Sequence, residues 1–473
     1  MTEPLPSITD HAAAIAFLDA RIGRGVKPGL ERITGLLDFM ADPHLNYPIV
    51  HVAGTNGKTT VTRLVSDILG AHGLITGTFI SPHLHRVEER FSVGGSPLTE
   101  DRFVDLVAEN AWIVEEYERR HTEGVTYFEL TAALAFATFA EAAVDVAVVE
   151  VGLGGRWDAT NVVDAAVSVI TGIAMDHVAY LGDSIAAISA EKAAVLKEGG
   201  LLVTGPLPAA AEGSVTAQVA ATESRWFRYG DEFTVESAVP AVGGWSVGVA
   251  GVYAEYPDLY LPFHGRHQVD NLATAIASAE AFLEHALDLD ALTAALAAAV
   301  APARIEVVHR HPLVVVDGAH NEQGLSGLAA TIRSEFPATS WGLVVGMRGE
   351  RDVATLLAPF AGLVDQVWAT EPDDPAAIPA AVVAATAAAT LDVDTEAVIS
   401  VPKATSAAID AVGGDGAVIV TGSLYVAAEA REALIGTEVR PSGVHVRIEA
   451  EVEMPGYPDD DDDDESEDDF EDG

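Results

Sequence analysis

The segment His51-Val-Ala-Gly-Thr-Asn-Gly-Lys-Thr-Thr60 decides how the chain folds. It follows an apolar run over residues 47–53, which reads as a buried strand. It opens a helical pattern over residues 59–70. A strand, a Gly-containing turn and a helix start gather backbone N–H groups and the positive end of the helix dipole at one point. Phosphate oxygens suit such a point. Lys58 then reaches the β- and γ-phosphates, and the hydroxyl of Thr59 or Thr60 can hold Mg²⁺. The full pattern G-x-x-x-x-G-K followed by Ser or Thr fails, because Val52 stands where its first glycine belongs. The shorter G-T-N-G-K-T remains. Gly54, Thr55, Asn56, Gly57, Lys58, Thr59 and Thr60 are therefore the expected phosphate-binding residues. The competing reading is an ordinary strand-to-helix turn.

Outward from this loop, apolar runs alternate with helical patterns, the signature of βαβ units on a mostly parallel sheet. Strands are expected over 145–151, 165–173 and 201–205, and helices over 186–197 and 271–286. Residues 232–261, rich in Val, Tyr, Trp and Gly, read as antiparallel strands. Near Ala301-Pro302 the pattern restarts. Strands over 313–316, 342–345, 366–369 and 417–420 follow, with Ala-rich helices expected over 291–301 and 376–390. The fold class is α/β. It comprises an N-terminal phosphate-loop domain with a parallel sheet (residues 1–302) and a smaller Rossmann-like domain (303–440). An acidic disordered tail follows over 456–473.

Composition narrows the function. The chain has 473 residues, enough for two or three domains. Its net charge of −46 repels nucleic acid and anionic lipid, so neither is an expected partner. Cysteine is absent, which removes disulfides, thiolate metal sites and a cysteine nucleophile. No basic-then-apolar leader opens the chain, and the most apolar stretch is interrupted by Glu141, Asp145 and Glu150. A cytoplasmic protein is expected. Residues 459–473 hold 12 acidic residues and read as a solvated end.

Several side chains stand where chemistry could use them. Glu150 ends a Val-rich strand, at the sheet edge where ligands bind in open parallel sheets. With Ser81 and a loop threonine it offers the hard oxygen ligands that magnesium prefers. A solvated strand-end acid is the alternative. His177 follows a strand and precedes a Gly turn; alone it reads as a structural or surface histidine. Lys192 lies among Ala190, Ala193 and Ala194, where a snorkelling lysine is the simplest reading. Tyr127 and Phe128 are suited to stacking on a flat ring or to a core.

The short loop resembles that of the Mur ligase superfamily, and further stretches resemble the folylpolyglutamate synthase/dihydrofolate synthase family. They are Ser81-Pro-His83, Thr126-Tyr-Phe-Glu-Leu-Thr131 and Glu150-Val-Gly-Leu-Gly-Gly-Arg-Trp-Asp-Ala-Thr-Asn161. Asp176-His177, Glu191-Lys192-Ala193, His267-Gln268 with Asn271, Arg304 with Glu306, and Asp317-Gly-Ala-His-Asn321 continue the order. The resemblance covers residues 21–431. It implies two magnesium sites, the first held by Ser81 and Glu150, the second by His177 and a carbamate formed on Lys192 from CO₂. A desolvated amine offers the neutral form that reacts with CO₂. It implies ATP contacts from Asn271, Arg304 and Asp317 beside the phosphate loop, with catalytic roles for Lys58, Lys192 and His177. An interdomain salt bridge is the plain alternative for Arg304. The substrate side is implied at Gly29, Leu30, Thr126, Tyr127, Phe128, Glu129, Trp157, Asp158 and His320. Three departures stand out: Ala194 where glycine is usual, Glu322 where proline is usual, and Glu350-Arg351-Asp352 where an acid-lysine-acid triplet is usual.

The implied reaction joins L-glutamate to dihydropteroate or a reduced folate in a monomeric enzyme. ATP phosphorylates a carboxylate, an amine attacks the acyl phosphate, and an amide, ADP and phosphate result. No nucleophilic side chain is needed, in keeping with the absent cysteine. Two alternatives are a Mur-type ligase acting on a UDP-muramyl precursor and a non-catalytic nucleotide switch. The Ser81-Pro-His83 and Thr126-Tyr-Phe-Glu129 stretches favour the folate reaction over the first. The presence of His177 and Lys192 disfavours the second.

Overall fold

Pro48 has no N–H to give a ladder, and the first strand starts after it. The computed structural model describes residues 8–25, 27–338 and 340–438. The acidic tail expected over 456–473 lies outside them. In chain order the strands are β1 (Ile49–Ala53), β2 (Thr76–Phe79), β3 (Phe91–Val93), β4 (Ser96–Pro97), β5 (Val146–Glu150), β6 (Val167–Ile170), β7 (Leu201–Thr204) and β8 (Arg225–Arg228). They form one sheet in the order β4-β3-β2-β5-β1-β6-β7-β8, parallel except at β3 and β4. β1 is central, with His51 opposite Val149 of β5 and Ser168 of β6.

Side chains alternate across this sheet and both faces are covered, so its strands are apolar on both sides. Val50, Val52, Val146 and Val148 pack with Val61, Leu64 and Ile68 of the helix Lys58–Ala71, and with Leu272 and Ile276 of the helix Arg266–Leu283. Ile49, Ala147 and Val149 face the opposite layer, with Leu130, Leu134 and Phe139 of the helix Tyr127–Glu141. The expected antiparallel region is a three-stranded sheet, β9 (Thr234–Ala241), β10 (Gly244–Ala250) and β11 (Glu255–Leu261).

A second sheet is built from β12 (Glu306–Arg310), β13 (Leu313–Val316), β14 (Trp341–Val345), β15 (Gln366–Glu371), β16 (Asp394–Ser400) and β17 (Ala417–Thr421). Its order is β12-β13-β17-β14-β15-β16, with only β12 antiparallel to its neighbour. The same alternation recurs, with Val314, Val316 and Val344 on one face and Val315, Leu343 and Val345 on the other. No described helix is long and apolar enough to cross a membrane.

Several boundaries differ from the sequence reading. The helix expected over 186–197 is Ile185–Ala193, capped by the Ser184 side chain. Val195 and Leu196 stay buried in the following turn, which prolongs the apolar pattern past the helix. The helix expected from 271 begins at Arg266, after the positive φ of Gly265, and ends at Leu283. The helix expected over 291–301 is Leu289–Ala298, started by the Asp288 cap. Pro379 is the N-cap of the helix Ala380–Leu391, which shortens the Ala-rich element expected from 376. Edge strands β12 and β16 were not expected. Exposed positions in both break the apolar signal that buried strands carry.

Candidate active site

Two glycines give the phosphate loop its shape. Gly57 has φ of 85°, and a Cβ there would stand 2.4 Å from Oδ1 of Asn271. Gly54 leaves no room either: a Cβ would stand 2.0 Å from Thr171 Oγ1. Both positions therefore exclude a side chain. The loop is tied to the segment after β6. Thr171 Oγ1 donates to the Asn56 carbonyl at 2.6 Å, and the Thr55 N–H donates to the Gly172 carbonyl at 2.8 Å. Lys58 opens the helix and its ammonium donates to the Gly54 and Thr55 carbonyls, 3.2 Å each. Asn271 is buried and donates to Gln268 Oε1 at 2.9 Å.

Glu150 reaches the same point from the neighbouring strand. Its carboxylate accepts the Thr59 hydroxyl at 3.0 and 3.1 Å and the Ser81 N–H at 3.2 Å. The group is buried, and burial pushes its carboxyl up, against the Lys58 charge and these hydrogen bonds. A buried carboxylate beside the Thr59 hydroxyl oxygen is a donor pair that suits a hard divalent cation. No group of three or more His, Cys, Asp or Glu residues able to hold a metal is found among the described residues. A cation here would take hydroxyls and waters as well as Glu150.

On the other side of the loop lies Lys192. It is buried at the end of its helix, and Nζ donates to the Gly54 carbonyl at 2.8 Å. Burial, with the Lys58 charge, lowers its pKa to about 7. Gly155 packs against this helix so closely that a Cβ would stand 2.5 Å from the Glu191 carbonyl oxygen. His177 is half-exposed, with Nε2 3.9 Å from Asp176 Oδ2. Burial lowers the His177 pKa, against the pull of Asp176.

Asp176 joins the two lobes, and the sequence reading had not placed it among the site residues. His320 Nε2 lies 3.8 Å from its Oδ2, and Asn321 Nδ2 donates to the same oxygen at 3.0 Å. Asn321 Nδ2 also donates to Asn56 Oδ1 at 3.1 Å, so the second lobe touches the phosphate loop directly. Burial pushes the Asp176 carboxyl up. The nearby His320 ring, the His177 charge and the Asn321 amide outweigh that and hold it below the usual carboxylate range. Thr171 and Asn321 were also missed as site residues. Nothing in the chain order says that the segments after β6 and β13 meet.

Arg304 is aimed by a strained turn. Its neighbours Ala303 and Ile305 have φ of 53° and 52°, the left-handed region that a β-branched residue avoids. Asp317 holds the turn, accepting the Ile305 and Ala319 N–H groups at 2.8 Å each. Burial pushes the Asp317 carboxyl up, against the Arg304 charge. Arg304 lines a cleft between the lobes with Thr59, Thr60, Arg63, Pro82 and Leu424. Of the departures from family pattern, Glu322 starts the helix Glu322–Glu335, where an acid suits the dipole. Arg351 donates to the His320 carbonyl.

The expected acceptor side gathers around the start of the helix Tyr127–Glu141. Thr126 and Glu129 cap it reciprocally, the Glu129 N–H donating to Thr126 Oγ1 and the Thr126 N–H to Glu129 Oε2. Arg32 Nε donates to Glu129 at 3.0 Å and Arg32 Nη2 to the Lys27 carbonyl at 2.6 Å, tying in the segment with Gly29 and Leu30. Phe128 lies 5.9 Å from the Phe79 ring, and Tyr127 lies under Arg90 at 5.4 Å. Asp158 is buried within its own loop, whereas Trp157 is half-exposed. The carboxylate of Glu129 is thus engaged within the fold. Glu129→Ala should cost about 3–5 kcal/mol by denaturant titration, because it strips Arg32 of its buried partner and opens the cap. A loss under about 1 kcal/mol would show that the pair carries little stability.

Residues 52–279 match the Mur ligase middle domain and 303–424 the glutamate ligase domain of Mur ligases. The dihydrofolate synthase/folylpolyglutamate synthase of Mycobacterium tuberculosis is 39% identical over 371 residues, covering 75% of this chain and 76% of that one. Its Bacillus subtilis counterpart is 31% identical over 436 residues, covering 90% and 99%. Among solved structures, M. tuberculosis folylpolyglutamate synthase complexed with ADP superposes with a TM-score of 0.87 at 36% identity, covering 91% of this chain and 100% of that one. Escherichia coli FolC in complex with DHPP and ADP gives 0.81 at 29% identity, covering 91% and 98%.

Proposed function

This chain belongs to the folylpolyglutamate synthase/dihydrofolate synthase family of the Mur ligase superfamily, and on that premise we propose how its residues perform ATP-dependent glutamate ligation to folates. The reading extends to both dihydropteroate and reduced folates as acceptors, L-glutamate as the amine, and an acyl phosphate between them. One observation carries it: Thr59 and Thr60 of the phosphate loop and Arg304 line one interlobe cleft, and the buried Glu150 accepts the Thr59 hydroxyl beneath it.

An acceptor carboxylate oxygen attacks the γ-phosphorus, and the bond from phosphorus to the β,γ-bridging oxygen breaks. ADP leaves with that electron pair. Lys58 and Arg304 face the charge that builds on the phosphoryl and leaving oxygens. The glutamate nitrogen then attacks the acyl carbon and loses a proton, and phosphate departs from the tetrahedral intermediate. His177 has a lone pair beside Asp176, as a metal ligand or a proton acceptor needs. Asn56, Asn321 and Asp176 hold the lobes in register while this occurs. Asn271 and Asp317 complete the nucleotide side. Gly29, Leu30, Thr126, Tyr127, Phe128, Trp157 and Asp158 border the acceptor, with His320 at the lobe junction and Glu129 fixing the helix start.

Ser81, Thr59 and Glu150 fit one magnesium ion, and His177 with a carbamylated Lys192 a second. Bound magnesium supplies Lewis-acid neutralisation of phosphate charge. The buried, weakly basic amine of Lys192 supports the carbamate. The enzyme works as a monomer, since one chain brings both sides of the cleft together. Residues 1–302 form the ATP-binding domain and 303–440 the second ligase domain.

A substrate panel tests the reading. With ATP, Mg²⁺ and L-glutamate, we expect ADP and phosphate release with dihydropteroate and with tetrahydrofolate. Turnover with tetrahydrofolate alone would restrict the enzyme to chain extension. Turnover only with UDP-muramyl acceptors would overturn it.

A further inference from the structure

His51 has no part in the chemistry above, yet it is fully buried in the central strand, three residues before the phosphate loop. Its Nε2 lies 2.7 Å from Thr160 Oγ1. Its Nδ1 is buried with no hydrogen-bond partner. Thr160 Oγ1 in turn lies 2.5 Å from Asp158 Oδ1. These contacts form one chain from the sheet interior to the loop that borders the acceptor.

The direction of that chain follows from counting donors. Asp158 Oδ1 also accepts the Thr160 N–H at 3.0 Å, and Oδ2 accepts the Leu153 N–H at 2.7 Å. Burial pushes the Asp158 carboxyl up, against these hydrogen bonds, but each of the contacts named is a donor, so both oxygens act as acceptors here. The single hydroxyl proton of Thr160 therefore points at Asp158, and the Thr160 oxygen must accept from His51. That fixes the His51 proton on Nε2 and leaves the bare Nδ1 lone pair facing the apolar interior. The reverse direction would need a protonated Asp158 and would bury an unpaired Nδ1–H instead, the costlier orphan. Burial, with the Lys197 charge, lowers the His51 pKa to about 3, so the ring stays neutral.

Asp158 is thereby held as an acceptor by the groups around it. Its loop rests on Phe128: a Cβ on Gly152 would stand 2.5 Å from Phe128 Cζ. A carboxyl acceptor beside an aromatic ring suits a flat heterocycle that carries N–H donors on one edge. We propose that His51 is a positioning residue for the acceptor substrate, orienting the Thr160 hydroxyl toward Asp158 and so setting affinity for the pterin end but not for ATP. This rests on the reading that Asp158 borders the acceptor.

The test compares KM for dihydropteroate, tetrahydrofolate and ATP in His51→Leu, His51→Gln, Thr160→Val and Asp158→Asn, with melting temperatures. His51→Leu and Thr160→Val should each raise both acceptor KM values on the order of 10-fold, with the ATP value moved less than about 2-fold, the size expected when one charge-assisted hydrogen bond is weakened. His51→Gln, which keeps an N–H donor, should recover most of the loss. The His51→Leu/Thr160→Val double variant should be no worse than either single one, because both cut the same chain. If Asp158→Asn leaves the acceptor KM unchanged, the acceptor reading of that loop fails. If Asp158→Asn raises it but His51→Leu and Thr160→Val do not, the relay fails. Equal rises in acceptor and ATP KM would also overturn the proposal, since a merely structural histidine acts on both. Should His51→Leu not fold, Thr160→Val against Thr160→Ser decides the same question at the next link of the chain.

Discussion

Lys58→Ala should lower kcat on the order of 10³-fold while the protein stays folded. The ammonium lies over the loop and donates only to the Gly54 and Thr55 carbonyls, so no buried partner is orphaned when it goes. Its removal takes a full positive charge from the point where phosphoryl charge develops. A fixed donor at such a point is worth about 2.7–4 kcal/mol of transition-state stabilisation. The melting temperature should move by no more than about 2 °C, as for a surface change. Stopped-time ADP release and a thermal melt check both halves. Near-normal turnover would show that the loop does not serve phosphate.

Lys192→Arg should cost about 100-fold in kcat, the upper range for groups that orient a metal site. Arginine keeps the charge but cannot form a carbamate. The sign of the pH effect follows from the amine. With its pKa lowered to about 7, Lys192 is mostly neutral above that pH, the form of an amine that reacts with CO₂; a carbamate on it would be lost on protonation below that pH. Wild-type activity in CO₂-depleted buffer should fall as the pH drops from about 8 to 6, and bicarbonate should restore it. The Lys192→Arg variant should show no bicarbonate response. Carbon-13 NMR with labelled bicarbonate reads the carbamate directly. A bicarbonate-independent wild type without a carbamate resonance would remove the modification from the account.

The six buried parallel strands at the hearts of the two sheets, β5, β1 and β6 in one and β13, β17 and β14 in the other, were legible because buried strands carry unbroken apolar runs; the phosphate loop was legible from its Gly-Lys-Thr turn, and the partly exposed antiparallel region from its Val, Tyr, Trp and Gly content. β12 and β16 were not, because edge strands alternate with solvent and lose that signal. Helix ends moved wherever a cap or proline overrode the pattern, as at Ser184 and Pro379. At the site, Glu150 was legible as a strand-end acid. Asp176, Asn321 and Thr171 were not, since their roles exist only once two loops and two lobes meet. His51 reads as an ordinary strand residue, and only the hydrogen-bond chain through Thr160 gives it a task. Glu129 illustrates the converse. It sits in a stretch that resembles a substrate-binding motif, but its carboxylate is engaged by the helix cap and Arg32.

The central claim is that the acceptor carboxylate takes the γ-phosphoryl group before the amine arrives. Acceptor labelled with oxygen-18 in the reacting carboxylate tests it, with the product phosphate read by mass spectrometry after turnover with ATP, Mg²⁺ and L-glutamate. An acyl phosphate predicts one labelled oxygen in each inorganic phosphate and none in the nucleotide. Label in AMP, or unlabelled phosphate alongside amide formation, would contradict it.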